Sequence, residues 1–409
     1  MLMNSCFHFL RLLGARRSAA QPDRRTIVRV HRFWSHGVGI FLFTLLSVEL
    51  PAQNSRAQSA PAAASTSAAS DDTAYRNGIL TFIRNRNAKD YAIDPVKGTD
   101  EASYVFIGGI EQWVTIRGED RNNPVLLFLH GGPGDVTSPW SYPYFAPWEH
   151  RFTVVQWDQR GAGRTLRKSG ASIAPTMTLD RMSQDGIELT EYLCKHLGKR
   201  KIILVAHSFG TVLGLRMIQA KPDLFFAYVG TGEVADGTRN YTAAYSALLH
   251  KAQATDNQQA LDELKSAGPP PYSSARGYQV QRKWANRFED SNGFLNSTLG
   301  GTLTAPGYSI DDLNDSFKGQ ILSEDRLFDQ TRALTMKDLG LKFAIPIFFF
   351  EGTEDFTTPT ELAREYLRAI VAPRKEFVAI SGGHFAVFMH SDQFLNELVS
   401  HVLPLAGDH

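Results

Sequence analysis

The feature that most constrains the fold is a tight turn at Ser208, between a hydrophobic run and a helix-like run in KIILVAHSFGTVLGLRM (residues 201–217). Such a strand-to-helix turn needs residues without bulk two positions before and two positions after its apex, and Ala206 and Gly210 occupy these positions. The turn would expose the Ser208 side chain at the head of the helix, as in the nucleophile elbow G-x-S-x-G, here with alanine for the first glycine. The alternative is an ordinary serine N-cap after a strand, so other parts of the chain must decide between the two.

Hydrophobic runs alternate with helical patterns on both sides of this turn. The runs 124–134 and 152–163 are apolar and end in glycines, as expected of strands that are buried on both faces. Residues 179–198 have apolar side chains near helical spacing, and Gly198 is a suitable stop. The alternation predicts an α/β fold, with a largely parallel sheet and helices on both of its faces.

The strand pattern is interrupted once. Residues 234 to about 340 contain helical stretches and no buried-strand run, and the pattern resumes with IPIFFFEGTED (345–355). We therefore predict one α/β core in two parts, residues 75–232 and 339–409, with a helical cap inserted at 233–338.

The N-terminal region has a different composition. A basic segment, the apolar run GVGIFLFTLLSV (37–48) and small residues up to Ala57 predict an export signal over residues 1–57. The protein would then be periplasmic or secreted, and the alternative is an uncleaved N-terminal anchor that holds it at a membrane. Residues 58–74 are rich in alanine, serine and proline and predict a disordered linker.

Composition excludes several classes of function. The net charge of the 409 residues is +1, which does not favour a nucleic-acid partner. The two cysteines, Cys6 and Cys194, have no spacing that indicates a zinc site or a disulfide framework. No metal-ligand spacing or complete phosphate-loop motif is present, and we expect no cofactor.

A nucleophilic serine needs a base and a group that orients the base, and both follow later strands. In this kind of fold the order is serine, acid, histidine. Asp355 follows the run IPIFFFEGTE, and His384 follows KEFVAISGG, so both can reach the sheet edge where Ser208 lies. Glu354 and Glu351 are rival acids. Asp355 could instead be a helix cap, and His384 a capping or core histidine.

The glycine-rich segment HGGPG (130–134) can supply a backbone N–H to a developing oxyanion, since its residues carry almost no side chains. We predict Gly132 as the first donor and the N–H of Phe209, the residue after the nucleophile, as the second. The alternative for the glycines is a plain turn. We do not expect His207 to act as a second base, because adjacent residues at an elbow point apart, and we expect His130 to brace the loop.

Five segments together resemble a known superfamily. HGGPG, WDQRGAGRT (157–165), AHSFG, GTED and GGHF occur in the order and approximate spacing of the α/β-hydrolases, and the first two resemble the proline iminopeptidase (prolyl aminopeptidase) group. The resemblance covers roughly residues 100–232 and 339–403. It implies an eight-stranded, mostly parallel sheet with a helical cap between its sixth and seventh strands. It also implies a serine exopeptidase that removes an N-terminal residue, often proline, from short peptides.

On this resemblance, Ser208, Asp355 and His384 match the triad, and Gly132 and Phe209 match the oxyanion hole. Asp158, Gln159 and Arg160 match a motif that shapes the loop beside the site. Phe209 stands where the group usually has tryptophan.

Aminopeptidases of this group hold the substrate's ammonium with acidic cap residues. Candidates here are Glu233 and Glu289, and either could equally be a solvated helix charge. The substrate is therefore predicted to be a small peptide. A carboxylesterase or lactonase that acts on a small ester is the alternative, and a non-catalytic binding protein on the same fold is a third possibility.

Overall fold

An eight-stranded sheet forms the centre of the fold. The structure is a computed structural model and describes residues 65–272 and 275–407. The strand order is β1-β2-β4-β3-β5-β6-β7-β8. β2 is antiparallel to β1 and β4, and all other neighbours are parallel. The predicted α/β fold with a mostly parallel eight-stranded sheet is therefore confirmed. The strands β1 to β8 are Thr99–Ile107, Ile110–Gly118, Val125–Leu129, Thr153–Trp157, Ile202–His207, Phe225–Thr231, Ile347–Gly352 and Lys375–Ile380.

Helices cover the sheet, and the strands beneath them are therefore apolar. β3 and β5 are buried along their full lengths, and their side chains on both faces are apolar except for His207 at the end of β5. The α-helices of the described residues, α1 to α14 in chain order, are Ser65–Asp90, Ala146–Glu149, Gly163–Ser169, Leu179–Leu197, Phe209–Ala220, Gly237–Ala254, Gln258–Ala267, Ala275–Phe288, Asn292–Thr304, Ile310–Arg332, Met336–Leu339, Thr360–Ala369, Ala386–Met389 and Ser391–Glu397.

The helix α4 shows how local sequence sets its own limits. The Thr178 side chain accepts a hydrogen bond from the backbone N–H of Arg181 at its start. Gly198 ends the helix in the left-handed conformation, with φ of 67°, which only glycine adopts without strain. The helix therefore ends at the stop that the sequence predicts.

The helices α6 to α11 lie between β6 and β7, and we refer to residues 237–339 as the helical insertion. Its longest helix, α10, begins with a capping box in which Ser309 and Asp312 satisfy each other's backbone. Asp312 also accepts a bond of 2.7 Å from Arg164 of α3, which joins the insertion to the sheet-bearing part of the chain. The insertion occupies the stretch in which the strand pattern of the sequence is interrupted.

The N-terminal helix α1 corrects part of one prediction. We expected residues 58–74 to be disordered, whereas the structure has residues 65–74 in the first turns of α1. Alanine has the highest helix propensity, and several alanines precede a long helical segment, so the helix extends back into the small-residue run. Residues 58–64 and the predicted leader, residues 1–57, lie outside the described residues. Within the described ranges, no helix is both long and apolar enough to cross a membrane.

Candidate active site

Ser208 lies at the apex of the turn between β5 and α5. Its backbone has φ of 53° and ψ of −125°, a conformation that L-residues rarely adopt. Its N–H donates to the carbonyl of Thr231 at 3.0 Å, which ties the apex to the end of β6. A Cβ at Gly210 would lie 2.6 Å from the carbonyl oxygen of Leu129, so a residue without a side chain is required there. The strained apex holds the Ser208 hydroxyl above the sheet edge.

The structure brings the three predicted triad residues into one hydrogen-bonded chain. The Ser208 Oγ lies 3.0 Å from Nε2 of His384, and Nδ1 of His384 lies 2.8 Å from Oδ2 of Asp355. Asp355 follows β7 and His384 follows β8, so the sheet topology places both beside the turn after β5. The three side chains have the distances of a nucleophile, its base and the group that orients the base.

The carboxylate of Asp355 is held by four donors. Its Oδ1 accepts from the backbone N–H groups of Thr357 and Thr358, each at 2.7 Å. Its Oδ2 accepts from the Thr358 hydroxyl at 2.8 Å, as well as from His384. The Thr358 hydroxyl also lies 3.1 Å from the His384 Nδ1, a contact with no signal in the sequence.

Burial alone would lower the pKa of His384, but the charge and hydrogen bond of Asp355, with the charge of Glu289, raise it above the ordinary value of 6.5. The rival acids lie elsewhere. Glu354 is exposed and pairs with Lys251, while Glu351 is fully buried and accepts from the backbone of Glu233. Of the three candidate acids, the structure therefore places Asp355 against the histidine.

The glycine-rich loop passes directly over Ser208. A Cβ at Gly131 would lie 2.8 Å from the Cβ of Ser208, so only a glycine permits this approach. Gly132 has φ of 110°, and a side chain there would meet the backbone nitrogens of Gly134 and Asp135. Gly132 and Phe209 both line the cavity that contains Ser208, as expected for the predicted oxyanion donors.

The motif formed by Asp158, Gln159 and Arg160 stabilises the glycine-rich loop. Nε2 of His130 accepts from the backbone N–H of Gln159 at 3.2 Å, and the Gln159 side chain donates to the His130 carbonyl at 3.1 Å. Arg160 pairs with Asp185 at 2.7 Å, and Asp158 accepts from the hydroxyl of Ser138. Asp158, Gln159 and Arg160 are all buried, so the motif shapes the loop and does not face the cavity.

His207 packs against His384 without bonding the serine. Its Nδ1 lies 3.2 Å from the Thr231 carbonyl, and its ring centroid lies 4.8 Å from that of His384. Burial and the neighbouring His384 lower the pKa of His207 well below 6.5, so it stays neutral. His207 lines the same cavity as Ser208 but contacts the Thr231 carbonyl instead of the serine, and its exclusion as a second base stays a prediction.

A cleft of about 1030 Å³, counting space open to solvent, lies between Ser208 and the helical insertion. Its wall combines aromatic and charged side chains. The aromatic ones are Phe209, Tyr241, Tyr278, Phe328, Phe356 and Phe385. The charged ones are Asp135, Arg282, Glu324 and Arg332.

Two pairs organise these charges. Arg282 donates to Glu324 at 3.0 Å, and Gln320 donates to Asp135 at 2.6 Å. Sequence reasoning missed both carboxylates. Asp135 follows HGGPG directly and could have been noticed, whereas Glu324 lies in a long polar helix without any distinguishing signal.

Neither acid that we expected to bind a substrate ammonium lines this cleft. Glu233 is 1% exposed and points into the core, where its Oε2 accepts from the phenol of Tyr228 at 2.8 Å. Burial raises its pKa to about 8. Glu289 accepts from the backbone N–H groups of Phe356 and His384, behind the cavity wall. Among the described residues, no group of three histidine, cysteine or acidic side chains is arranged to hold a metal ion.

Comparison with known proteins identifies the class. Residues 124–391 match the family model of the alpha/beta hydrolase fold, so the chain belongs to that family. A probable aminopeptidase of Bacillus subtilis, YbaC, is 28% identical over 302 residues, which cover 72% of this chain and 94% of that protein. A probable proline iminopeptidase of Streptomyces coelicolor is 35% identical over 152 residues, but these cover only 37% of this chain and 45% of that protein.

Solved structures show the same fold at low sequence identity. A proline iminopeptidase-related protein of Thermus thermophilus superposes with a TM-score of 0.54 at 19% identity, over 75% of this chain and 99% of that one. The proline iminopeptidase of Mycobacterium smegmatis has a TM-score of 0.54 at 17% identity, over 76% and 100%. The chain is thus a member of the α/β-hydrolase family and is similar to a probable aminopeptidase and to proline iminopeptidases.

Proposed function

We propose that the protein is a serine hydrolase with the triad Ser208, His384 and Asp355, and that it acts as an aminopeptidase on short peptides. The observation that carries the proposal is the chain of bonds from Ser208 Oγ to His384 at 3.0 Å and from His384 to Asp355 at 2.8 Å. Similarity to the B. subtilis probable aminopeptidase over most of its length supports the substrate class.

The geometry supports a two-stage acyl transfer. Nε2 of His384 removes the Ser208 proton as Oγ attacks the substrate carbonyl, and the imidazolium then returns this proton to the leaving amine. Asp355 keeps Nδ1 protonated, so that Nε2 is free to accept. The N–H groups of Gly132 and Phe209 stabilise the tetrahedral oxyanion, each donor contributing about 3 kcal/mol. Water, activated by the same histidine, hydrolyses the acyl-enzyme.

The acidic groups of the cleft favour a substrate with a free ammonium. Asp135 and Glu324 both line the cavity, and each accepts a side-chain hydrogen bond at one oxygen, Asp135 from Gln320 and Glu324 from Arg282. A carboxylate in a partly enclosed site binds an ammonium more strongly than one in bulk water. We propose that the helical insertion is a cap domain, and that its residue Glu324, together with Asp135, binds the N-terminal ammonium of the substrate. Proline or another small residue would occupy the P1 position.

A carboxylesterase or lactonase is the second candidate, favoured by the six phenylalanine and tyrosine residues that line the cavity. Arg282 and Arg332 also offset the two carboxylates of the cleft, so the site could accept an uncharged acyl group. Both candidates use the same triad and differ in what the cap recognises.

The test compares substrates on the purified chain. Prolyl- and alanyl-p-nitroanilide, N-acetyl-prolyl-p-nitroanilide and p-nitrophenyl butyrate are assayed with Ser208→Ala as the blank. We expect cleavage of the free-amine anilides, loss of it on acetylation, and a fall in kcat of about 10⁴–10⁶-fold in Ser208→Ala. Ester cleavage without anilide turnover would instead support the esterase, and full activity of Ser208→Ala would reject the triad.

We also propose that the protein is exported by its N-terminal segment. The support is the basic and apolar pattern of residues 1–48, followed by small residues up to Ala57. N-terminal sequencing of the mature protein should find a start after the apolar run. An intact N-terminus in the membrane fraction would favour the anchor.

A further inference from the structure

The carboxylate of Glu289 joins the two loops that carry the acid and the histidine of the triad. Its Oε1 accepts from the backbone N–H of Phe356, the residue after Asp355, at 2.7 Å. Its Oε2 accepts from the backbone N–H of His384 itself at 2.9 Å. One side chain of the helical insertion thus holds both loops beside the Ser208 turn.

The join extends a pairing that the backbone begins. The N–H of Thr353 donates to the carbonyl of Ile380 at 3.0 Å, and the N–H of Glu354 donates to that of Gly382 at 2.9 Å. Just beyond these bonds, the side chains of Asp355 and His384 meet at 2.8 Å. Glu289 supplies acceptors at the point where the backbone pairing stops.

The local structure fixes the direction of this carboxylate. Glu289 directly follows the last residue of α8, Phe288, and the next residue, Asp290, has φ of 52°. The N–H of Ser291 donates back to the carbonyl of Asn286 at 2.9 Å, which closes the helix end. Glu289 is 8% exposed and lies beside His384 and Asp355. Burial raises the pKa of its carboxyl to about 7.

The histidine loop is shaped to receive Glu289. A Cβ at Gly383 would lie 2.4 Å from the Glu289 Cγ and 2.6 Å from its Cδ, and all three nearest atoms belong to Glu289. Gly383 does not have a positive φ, so an alanine there would be strained by this contact and not by its backbone conformation. Only a residue without a side chain leaves room for the carboxylate.

We propose that Glu289 is a positioning residue, which fixes His384 relative to Asp355 by accepting one backbone N–H from each loop, and that it is not the residue that binds the substrate's ammonium. The inference rests on the proposed catalytic role of Ser208 and His384. It predicts that Glu289 affects every reaction of Ser208, whether or not the substrate has a free amine.

The first variant is Glu289→Gln, which keeps the shape of the side chain. An amide has one acceptor oxygen for two N–H donors, so one loop loses its bond and faces an NH₂ group instead. We expect kcat to fall about 10²-fold for both prolyl-p-nitroanilide and p-nitrophenyl butyrate, since small displacements of reacting groups cost this much. KM should change little. The rate at which a fluorophosphonate probe labels Ser208 should fall in the same proportion.

Gly383→Ala disturbs the same contact from the other side and keeps the carboxylate. It should lower kcat for both the anilide and the ester, and it should lower the rate at which the fluorophosphonate probe labels Ser208. In a Glu289→Ala background the added methyl has no carboxylate to displace, so Gly383→Ala should then add little further loss. Gly383→Ala on its own keeps the test decisive if Glu289→Gln unfolds, which a thermal melt would reveal.

Two other carboxylate variants serve as comparators. Glu324→Gln removes a cavity carboxylate and should raise KM for free-amine substrates without slowing the labelling of Ser208. Glu361→Gln removes an exposed carboxylate of α12, 80% accessible, and should leave all rates unchanged. If Glu289→Gln instead raises KM for free-amine anilides and leaves ester turnover and labelling intact, Glu289 binds the ammonium and the proposal is wrong. If the wild type does not label at Ser208, it is the proposed function that fails.

Discussion

The replacement Asp355→Asn tests the orienting role of the acid most directly, because the structure dictates how the amide must lie. Oδ1 of Asp355 accepts two backbone N–H groups at 2.7 Å. An NH₂ group at this position would face two donors, so the amide oxygen takes it. The NH₂ group is then forced to the position of Oδ2, opposite Nδ1 of His384.

The consequence is a change of tautomer. The amide donates to Nδ1, so the neutral imidazole must carry its proton on Nε2, where it meets Ser208 and can no longer accept the serine proton. The Thr358 hydroxyl, at 2.8 Å from Oδ2, can turn to accept the second amide hydrogen. The fold is therefore retained while the base is lost. We expect kcat to fall by about 10⁴-fold, which corresponds to about 5.4 kcal/mol of transition-state stabilisation.

The assay is steady-state hydrolysis of whichever of the four test substrates named above is turned over fastest, with kcat and KM measured separately and folding checked by a thermal melt. KM should stay within a few-fold, since Asp355 does not line the cleft. Glu354→Gln is the matched control: this neighbouring carboxylate is exposed and pairs with Lys251, so its loss should leave kcat nearly unchanged. More than a tenth of wild-type kcat in folded Asp355→Asn would refute the tautomer reasoning.

Three further predictions concern charges around the site. The rate kcat/KM should fall as the pH drops, with a midpoint above 6.5, because the raised pKa of His384 means that it is protonated and unable to act as a base below that value; a midpoint below 6.5 in a pH–rate profile would contradict this. The free energy of unfolding should decrease as the pH rises from about 5 to 8, because Glu233, with its pKa raised to about 8, stays protonated in the native state while the unfolded chain ionises near 4.5. In urea titrations, Glu233→Gln should reduce the slope of the unfolding free energy against pH by up to about 1.4 kcal/mol per pH unit. An unchanged slope would mean that another group causes the pH dependence. Glu324→Gln should raise KM for prolyl-p-nitroanilide about 10- to 100-fold and leave KM for p-nitrophenyl butyrate unchanged, and equal effects on both substrates would argue against an ammonium site.

The sequence predicts the sheet and the site wherever the position of a residue along a strand determines where it lies in the fold. A buried strand must end at a sheet edge, so Ser208, Asp355 and His384 could be assigned to one edge from their positions after three hydrophobic runs. Glycines that permit close approach, such as Gly210, could be assigned for the same reason. The helical insertion could be placed because its segment lacks strand-like runs.

The residues that the helical insertion contributes to the cavity wall could not be predicted in this way. A helix presents side chains on all of its faces, and which face meets the cleft depends on how the insertion packs on the core. Glu324 lies in α10, whose sequence has acidic residues on several faces, so its exposure to the cavity has no local signal. The start of α1 was misjudged for a related reason, since an alanine- and serine-rich run is compatible with both a linker and a helix.

The contrast between Asp355 and Glu233 shows why position after a strand is an incomplete criterion for a functional acid. Both residues follow buried strands at the same edge of the sheet. Asp355 meets four donors, including the ring of His384, and these hold its carboxylate against the histidine. The carboxyl of Glu233 turns back towards its own strand, where the phenol of Tyr228 bonds one oxygen, and burial favours the neutral form. A carboxylate at a strand end can therefore serve catalysis only where the adjoining loop supplies N–H donors. The backbone of Thr357 and Thr358 provides them here, and this property of the loop cannot be inferred from the acid itself.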